Sequence, residues 1–111
     1  MTKRADCTVK ALATVADIGY ELAEQIALDG GRKLGRTGNS LRIIEAAKRH
    51  GLKFRKLRFT NKTVAKFCRL HPVGRFYLRK RGHAFAVLDG AVMDWTSPNS
   101  IVVSAWELTK A

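Results

Sequence analysis

Apolar positions follow helical spacing over the first fifty residues and approximate alternation after that. Residues 7–16 are apolar around most of a helical circumference with Lys10 as their only charge, which predicts a buried helix capped by the Asp6 carboxylate. A second helix, roughly residues 20–28, follows Gly19 and stops at Gly30-Gly31. A basic loop from Arg32 to Gly38 leads to a third helix near 40–50. Asn39 or Ser40 caps it, Leu41, Ile43, Ile44 and Ala47 form its apolar stripe, and Gly51 ends it. Residues 52–59 alternate imperfectly and read as an exposed strand with a slip near Lys56. A short helix over about 61–70 ends before Pro72. Strands are expected at 73–79, with an arginine-rich face, at 82–88 and 91–95, and at about 100–105 before a short tail. Helices first and a mostly antiparallel sheet second make an α+β domain.

Asp89-Gly90 is the strongest turn signal, because a type I′ hairpin needs positive φ at both central residues. A two-residue turn there sets Val87 opposite Val92, Phe85 opposite Asp94 and His83 opposite Thr96, all on one sheet face. Ala84, Ala86, Leu88, Ala91, Met93 and Trp95 fall on the other face. Both faces are largely apolar, so both should be covered. The first nevertheless holds a histidine and a carboxylate as diagonal neighbours. An Asp on an apolar face is costly unless paired, and a bond to His83 would offset that cost while fixing the imidazole tautomer. The alternative is a His–Asp pair that only stabilises the hairpin.

Composition narrows the class. A chain of 111 residues with 46% hydrophobic and 27% charged residues fits a single domain over 1–111. No run approaches a membrane span, no uninterrupted apolar leader follows Met1, and 2 cysteines build no disulfide framework, so a cytoplasmic protein with no membrane partner is expected. The net charge of +12 is unevenly placed. Residues 31–81 carry 17 basic and 1 acidic side chains, whereas 1–30 and 82–111 each come to −2. Such asymmetry points to nucleic acid or another polyanion as a partner. Lys53, Arg55, Lys56, Arg58, Arg75, Arg79, Lys80 and Arg81 are the candidate contacts, with Phe54, Phe59, Phe76 and Tyr77 interleaved either to stack on bases or to form the core.

A nucleophile completes the His–Asp pair. Cys7 stands in the first turn of the expected buried helix, where aligned amide dipoles favour a thiolate, although neighbouring Asp6 opposes this. Read alone, Cys7 is equally a small apolar residue. The segment "DCTVKALA" and residues 82–95, "GHAFAVLDGAVMDW", together resemble the two signature segments of papain-like cysteine peptidases. They are most similar to the small bacteriocin-processing-peptidase-like proteins, including short ones encoded by bacteriophages. "LRIIEAAKRHGLKF" looks like that family's helix before its first strand. The resemblance implies a minimal papain-like fold in which Cys7 is the nucleophile, His83 the general base and then acid, and Asp94 the residue that orients His83. It implies hydrolysis of a peptide or isopeptide bond in a peptide or protein substrate through a thioester, with no cofactor and the Cys7 amide as one oxyanion donor. The family's usual second donor is a Gln several residues before the Cys. Here Met1 stands six residues upstream and no Gln or Asn precedes Cys7, so Thr2, Asp6 or a loop residue would have to substitute.

Two competing readings remain. Cys68 and His71 form a Cys-x2-His pair that could join Cys7 and His83 around zinc, but structural zinc sites normally use two such pairs, so no metal is expected. The other reading is a basic nucleic-acid-binding or interaction protein on a catalytically weak papain-like scaffold.

Overall fold

α1 (Cys7–Ala16) forms over the apolar ten-residue stretch in the computed structural model of the chain, which describes residues 6–33, 38–59 and 61–110. Val9, Leu12 and Val15 are fully buried and Lys10 projects outward. The expected Asp6 cap does not form. Asp6 sits at φ −123°, ψ 22°, outside the extended conformation that aims an N-cap side chain at the first amides. Its carboxylate accepts instead from the Tyr20 hydroxyl at 2.8 Å and pairs with Lys10 at 3.7 Å. The helix ends at Asp17, in the left-handed region at φ 55°. The Ile18 amide then returns to the Ala13 carbonyl at 3.0 Å, satisfying one of the last carbonyls.

α2 (Tyr20–Asp29) and α3 (Ser40–Arg49) pack with α1 over one side of the sheet. Asn39 caps α3, its side chain accepting from the Arg42 amide at 3.1 Å. Gly30 lets α3 come close, since a Cβ there would lie 2.9 Å from the Arg42 carbonyl oxygen and the Ile43 Cα. The expected helix over 61–70 is shorter. Residues Lys62–Thr63 form strand β2, and Thr63 caps α4 (Val64–Leu70) by accepting from the Lys66 amide at 3.1 Å.

The remaining strands are β1 (Lys53–Lys56), β3 (Arg75–Lys80), β4 (His83–Leu88), β5 (Ala91–Val92), β6 (Ile101–Val102) and β7 (Ser104–Lys110). They make a five-stranded sheet in the order β1-β7-β3-β4-β5 and a two-stranded β2-β6 sheet; every pairing among the described residues is antiparallel. The register slip expected near Lys56 falls between Lys53 and Phe54, and β1 ends at Lys56. The strand expected near 100–105 divides at Val103. β7 runs on through the expected tail and lies between β1 and β3. Ala105 belongs to one core and Trp106 to the other, which breaks the alternation there; beyond them Trp106 and Leu108 alternate with Glu107 and Thr109, a strand signal present in the expected tail.

The Asp89-Gly90 turn is as expected, with φ of 48° and 79° and pairs Val87↔Val92 and Leu88↔Ala91. β5 nevertheless stops at Val92 rather than reaching 95. The Met93 amide still bonds the Ala86 carbonyl at 3.0 Å, but the Asp94 carboxylate then accepts from the Thr96 amide at 2.8 Å. That local turn competes with the ladder and carries the chain away from β4.

The five-stranded sheet thus separates two cores. On one side Phe54, Tyr77, Ala84, Ala86 and Trp106 meet α1, α2 and α3. On the other Phe76, Leu78, Phe85 and Val87 meet Phe59, Val64, Phe67 and Val102. Among the described residues no helix is long and apolar enough to cross a membrane.

Candidate functional site

Cys7 is the first residue of α1, a helix whose Ala11 and Val15 pack with Ala84 and Ala86 of β4 in one core. It is half-buried, and its thiol is free. Neighbouring Asp6 is 5% exposed, and the bonds from Tyr20 and Lys10 offset its charge beside the thiol. Thr2, a candidate second oxyanion donor, lies outside the described residues.

His83 opens β4 directly after the turn at Gly82, whose φ of 76° suits a residue without a Cβ. Its Nε2 lies 2.7 Å from Asp94 Oδ2. Burial pushes the Asp94 carboxyl up, but hydrogen bonding from Thr96 and His83 outweighs it and holds the group below its ordinary value. An ionised carboxylate can only accept, so Nε2 donates to it. In the neutral ring the basic nitrogen is then Nδ1. His83 is stacked 4.4 Å from Trp95, 25° from parallel, and 5.9 Å from Phe85. Lys80 Nζ lies 5.8 Å from the centre of the same indole.

Trp95 was legible as an apolar residue but not as part of the site. Strict alternation places it on the face opposite His83, and departure from the ladder after Met93 brings it round to His83 instead. A signal for this was present, since Asp94 and Pro98 are both poor candidates for continuing a strand.

Cys7 and His83 line the same two cavities, together with Gly82 and Ala84. No hydrogen bond joins the two side chains among the described contacts. The larger cavity, about 640 Å³, runs past Tyr20, Phe85, Met93, Asp94 and Trp95. The smaller, about 410 Å³, runs past Ser40, Lys56, Arg79, Ser104 and Trp106. Ser40 Oγ and the Tyr77 hydroxyl bond each other at 2.8 Å beneath this end of the sheet. Burial drives the Tyr77 phenol far above its ordinary value, so it stays neutral.

The eight candidate polyanion contacts do not share one surface. Arg75 donates from Nε to the Val15 carbonyl at 2.7 Å and from a terminal nitrogen to that of Thr14 at 3.2 Å, holding the C-terminal end of α1. Arg55 is bonded to Glu107. Lys56 and Arg79 line the smaller cavity, and Lys80 stands over Trp95 on the opposite sheet face. Lys53, Arg58 and Arg81 are exposed. The interleaved aromatics are core: Phe54, Phe59, Phe76 and Tyr77 are at most 7% exposed, so none offers a face to a base. Cys68 is half-buried on α4, where burial pushes its thiol up, and His71 packs 4.5 Å from Phe67. No group of three or more metal-ligating side chains occurs among the described residues.

No family model matches the chain, and no curated protein or solved structure matches it either.

Proposed function

We propose that this protein is a cysteine peptidase, or a related thiol acyl-hydrolase, that cleaves a peptide or isopeptide bond through a thioester on a minimal papain-like scaffold. The observation that carries the reading is the 2.7 Å bond from His83 Nε2 to Asp94, made by a histidine that shares both of its cavities with Cys7. With Nε2 committed to Asp94, Nδ1 is the nitrogen free to take the Cys7 thiol proton. The thiolate then attacks the carbonyl carbon, and the Cys7 amide at the start of α1 donates to the developing oxyanion. Collapse breaks the carbon–nitrogen bond as imidazolium His83 gives its proton to the departing amine, leaving a thioester on Sγ. Water adds to the thioester with His83 as base, the acid departs, and the proton returns to sulfur. Asp94 stabilises the imidazolium in each half, and Trp95 and Phe85 limit water around the ring.

The burial of the interleaved aromatics and the dispersal of the cations over both sheet faces favour this reading over a nucleic-acid-binding module. The test is incubation with a complex peptide library and identification of new termini by mass spectrometry. New termini made by the wild-type chain and absent with Cys7→Ala support the reading. No new termini, or the same ones from folded Cys7→Ala, overturn it.

A further inference from the structure

The two cavities that meet at Cys7 differ in charge. The larger is lined by two carboxylates, Asp94 and Asp6, by Lys10, which pairs with Asp6, and by the apolar surfaces of Met93 and Trp95. The smaller is lined by Lys56 and Arg79, and among the described residues no carboxylate lines it. Both cations are on the sheet face that carries Cys7: Arg79 follows Tyr77 by two positions on β3, and Lys56 lies opposite Trp106 in the β1–β7 pairing. The Lys56 ammonium is 5.4 Å from the centre of the Trp106 ring, which holds the charge over the cavity wall. Arg79 has no ion-pair partner among the described residues, unlike Arg55, which Glu107 holds, and Arg75, which α1 holds. Ser40 and Ser104 add polar wall, and the N-terminal end of α3 adds positive potential. Lys56 and Arg79 line one concave site without counter-charge among the described residues, which makes it a receptor for an anion, with Arg79 able to grip a carboxylate in two places.

We propose that the smaller cavity is a specificity subsite for a carboxylate on the substrate, gripped by Lys56 and Arg79 beside the bond that Cys7 attacks. The assignment rests on Cys7 as nucleophile only for its place in the reaction; the anion site stands on its own residues. The cavity, about 410 Å³, has room for a carboxylate together with the residue that bears it. The group is either an acidic side chain or a free chain terminus.

Two measurements test it. In the first, Cys7 is alkylated with iodoacetate and with iodoacetamide, and the ratio of the two rates is compared between wild type and Lys56→Gln/Arg79→Gln. Both reagents need the same thiolate, so the ratio cancels any change in its population and reports attraction of the anion alone. The ratio is expected to fall about tenfold in the double variant, on the scale of two partly screened charges. In the second, the backbone amide signals of Ser40, Leu41 and Ser104 are followed during titration with N-acetylglycine, a terminal carboxylate. The titration is repeated with the α-amide of N-acetylaspartic acid, a side-chain carboxylate, and with neutral N-acetylglycinamide. Saturable shifts with either carboxylate, absent with the neutral amide and lost in the double variant, support the subsite and identify its source. They do so even where Cys7 alkylates as an ordinary thiol, a result that removes the peptidase reading and leaves the anion site. An unchanged alkylation ratio, or equal shifts from charged and neutral ligands, overturns the proposal.

Discussion

The indole of Trp95 lies 4.4 Å from the imidazole of His83 and 25° from parallel to it, yet Trp95 remains 74% exposed. A large aromatic side chain that contributes little buried surface is poorly explained by packing. Its position is explained by what it covers. Trp95 lies against the ring that donates to Asp94, and so excludes water from one side of that bond. Trp95→Ala should therefore leave the melting temperature nearly unchanged while slowing alkylation of Cys7 at neutral pH about fivefold, the equivalent of about 1 kcal/mol of ring contact. Equal alkylation rates in the two proteins would show the indole to be a bystander.

Asp94 uses both carboxylate oxygens, Oδ2 toward His83 and Oδ1 toward the Thr96 amide. An asparagine has a single acceptor oxygen. The fixed Thr96 amide claims it, which turns the side-chain NH2 toward Nε2 and drives the imidazole proton to Nδ1, the nitrogen that the proposed mechanism uses as base. Under the proposed mechanism, Asp94→Asn is expected to slow Cys7 alkylation near pH 7 by up to about thirtyfold with folding retained, the fall from a fully ionised thiol to an ordinary one of pKa about 8.5. NMR of the ring nitrogens reads the tautomer directly, and an unmoved proton would contradict the argument.

The same carboxylate makes stability depend on pH with a definite sign. Its folded value lies below the ordinary value of about 3.8, so it binds protons less readily when folded than when unfolded. Its contribution is therefore fully present above the ordinary carboxylate range and is lost as pH falls through the folded value. Below about pH 4 the urea midpoint of wild type relative to Asp94→Asn should fall steadily. A gap that widens below that pH would reverse the sign and reject the assignment.

Arg75 counted among the candidate polyanion contacts, but its guanidinium is spent on α1, donating to the Thr14 and Val15 carbonyls. Arg75→Ala should cost about 2 kcal/mol, the scale of hydrogen bonds from a charged donor, and lower the melting temperature by roughly 10 °C. Exposed Arg58→Ala should change stability by no more than about 0.5 kcal/mol. Thermal unfolding of the two variants side by side separates a strut from a surface charge.

The contrast between these residues shows what the sequence made legible. α1 could be read to its exact ends, because ten residues with one charge admit few alternatives. The Asp89-Gly90 turn was legible because its backbone conformation demands that residue pair. The His83–Asp94 contact followed from turn register, although the strand ends at Val92 and the contact is completed by the Asp94–Thr96 turn. Trp95 was misplaced by the same arithmetic, since alternation holds only while the ladder does. β7 was cut short because Ala105 and Trp106 face two different cores and interrupt the alternation, although Trp106 and Leu108 alternate with Glu107 and Thr109 beyond that point. The smaller cavity was not legible at all. Ser40, Lys56, Arg79 and Ser104 come from four separate elements, and the β1–β7–β3 strand order that assembles them leaves no local signature.

The proposed Cys7–His83–Asp94 group is best examined by the pH dependence of iodoacetamide alkylation, read separately at Cys7 and Cys68 by peptide mapping. Cys68 is the internal control, because burial raises its thiol. The expected result is a Cys7 alkylation profile with an apparent midpoint well below the ordinary thiol value of about 8.5, abolished by His83→Ala while Cys68 stays slow and late. A Cys7 that titrates like a free thiol, or whose profile is the same in His83→Ala, would contradict the proposed catalytic group.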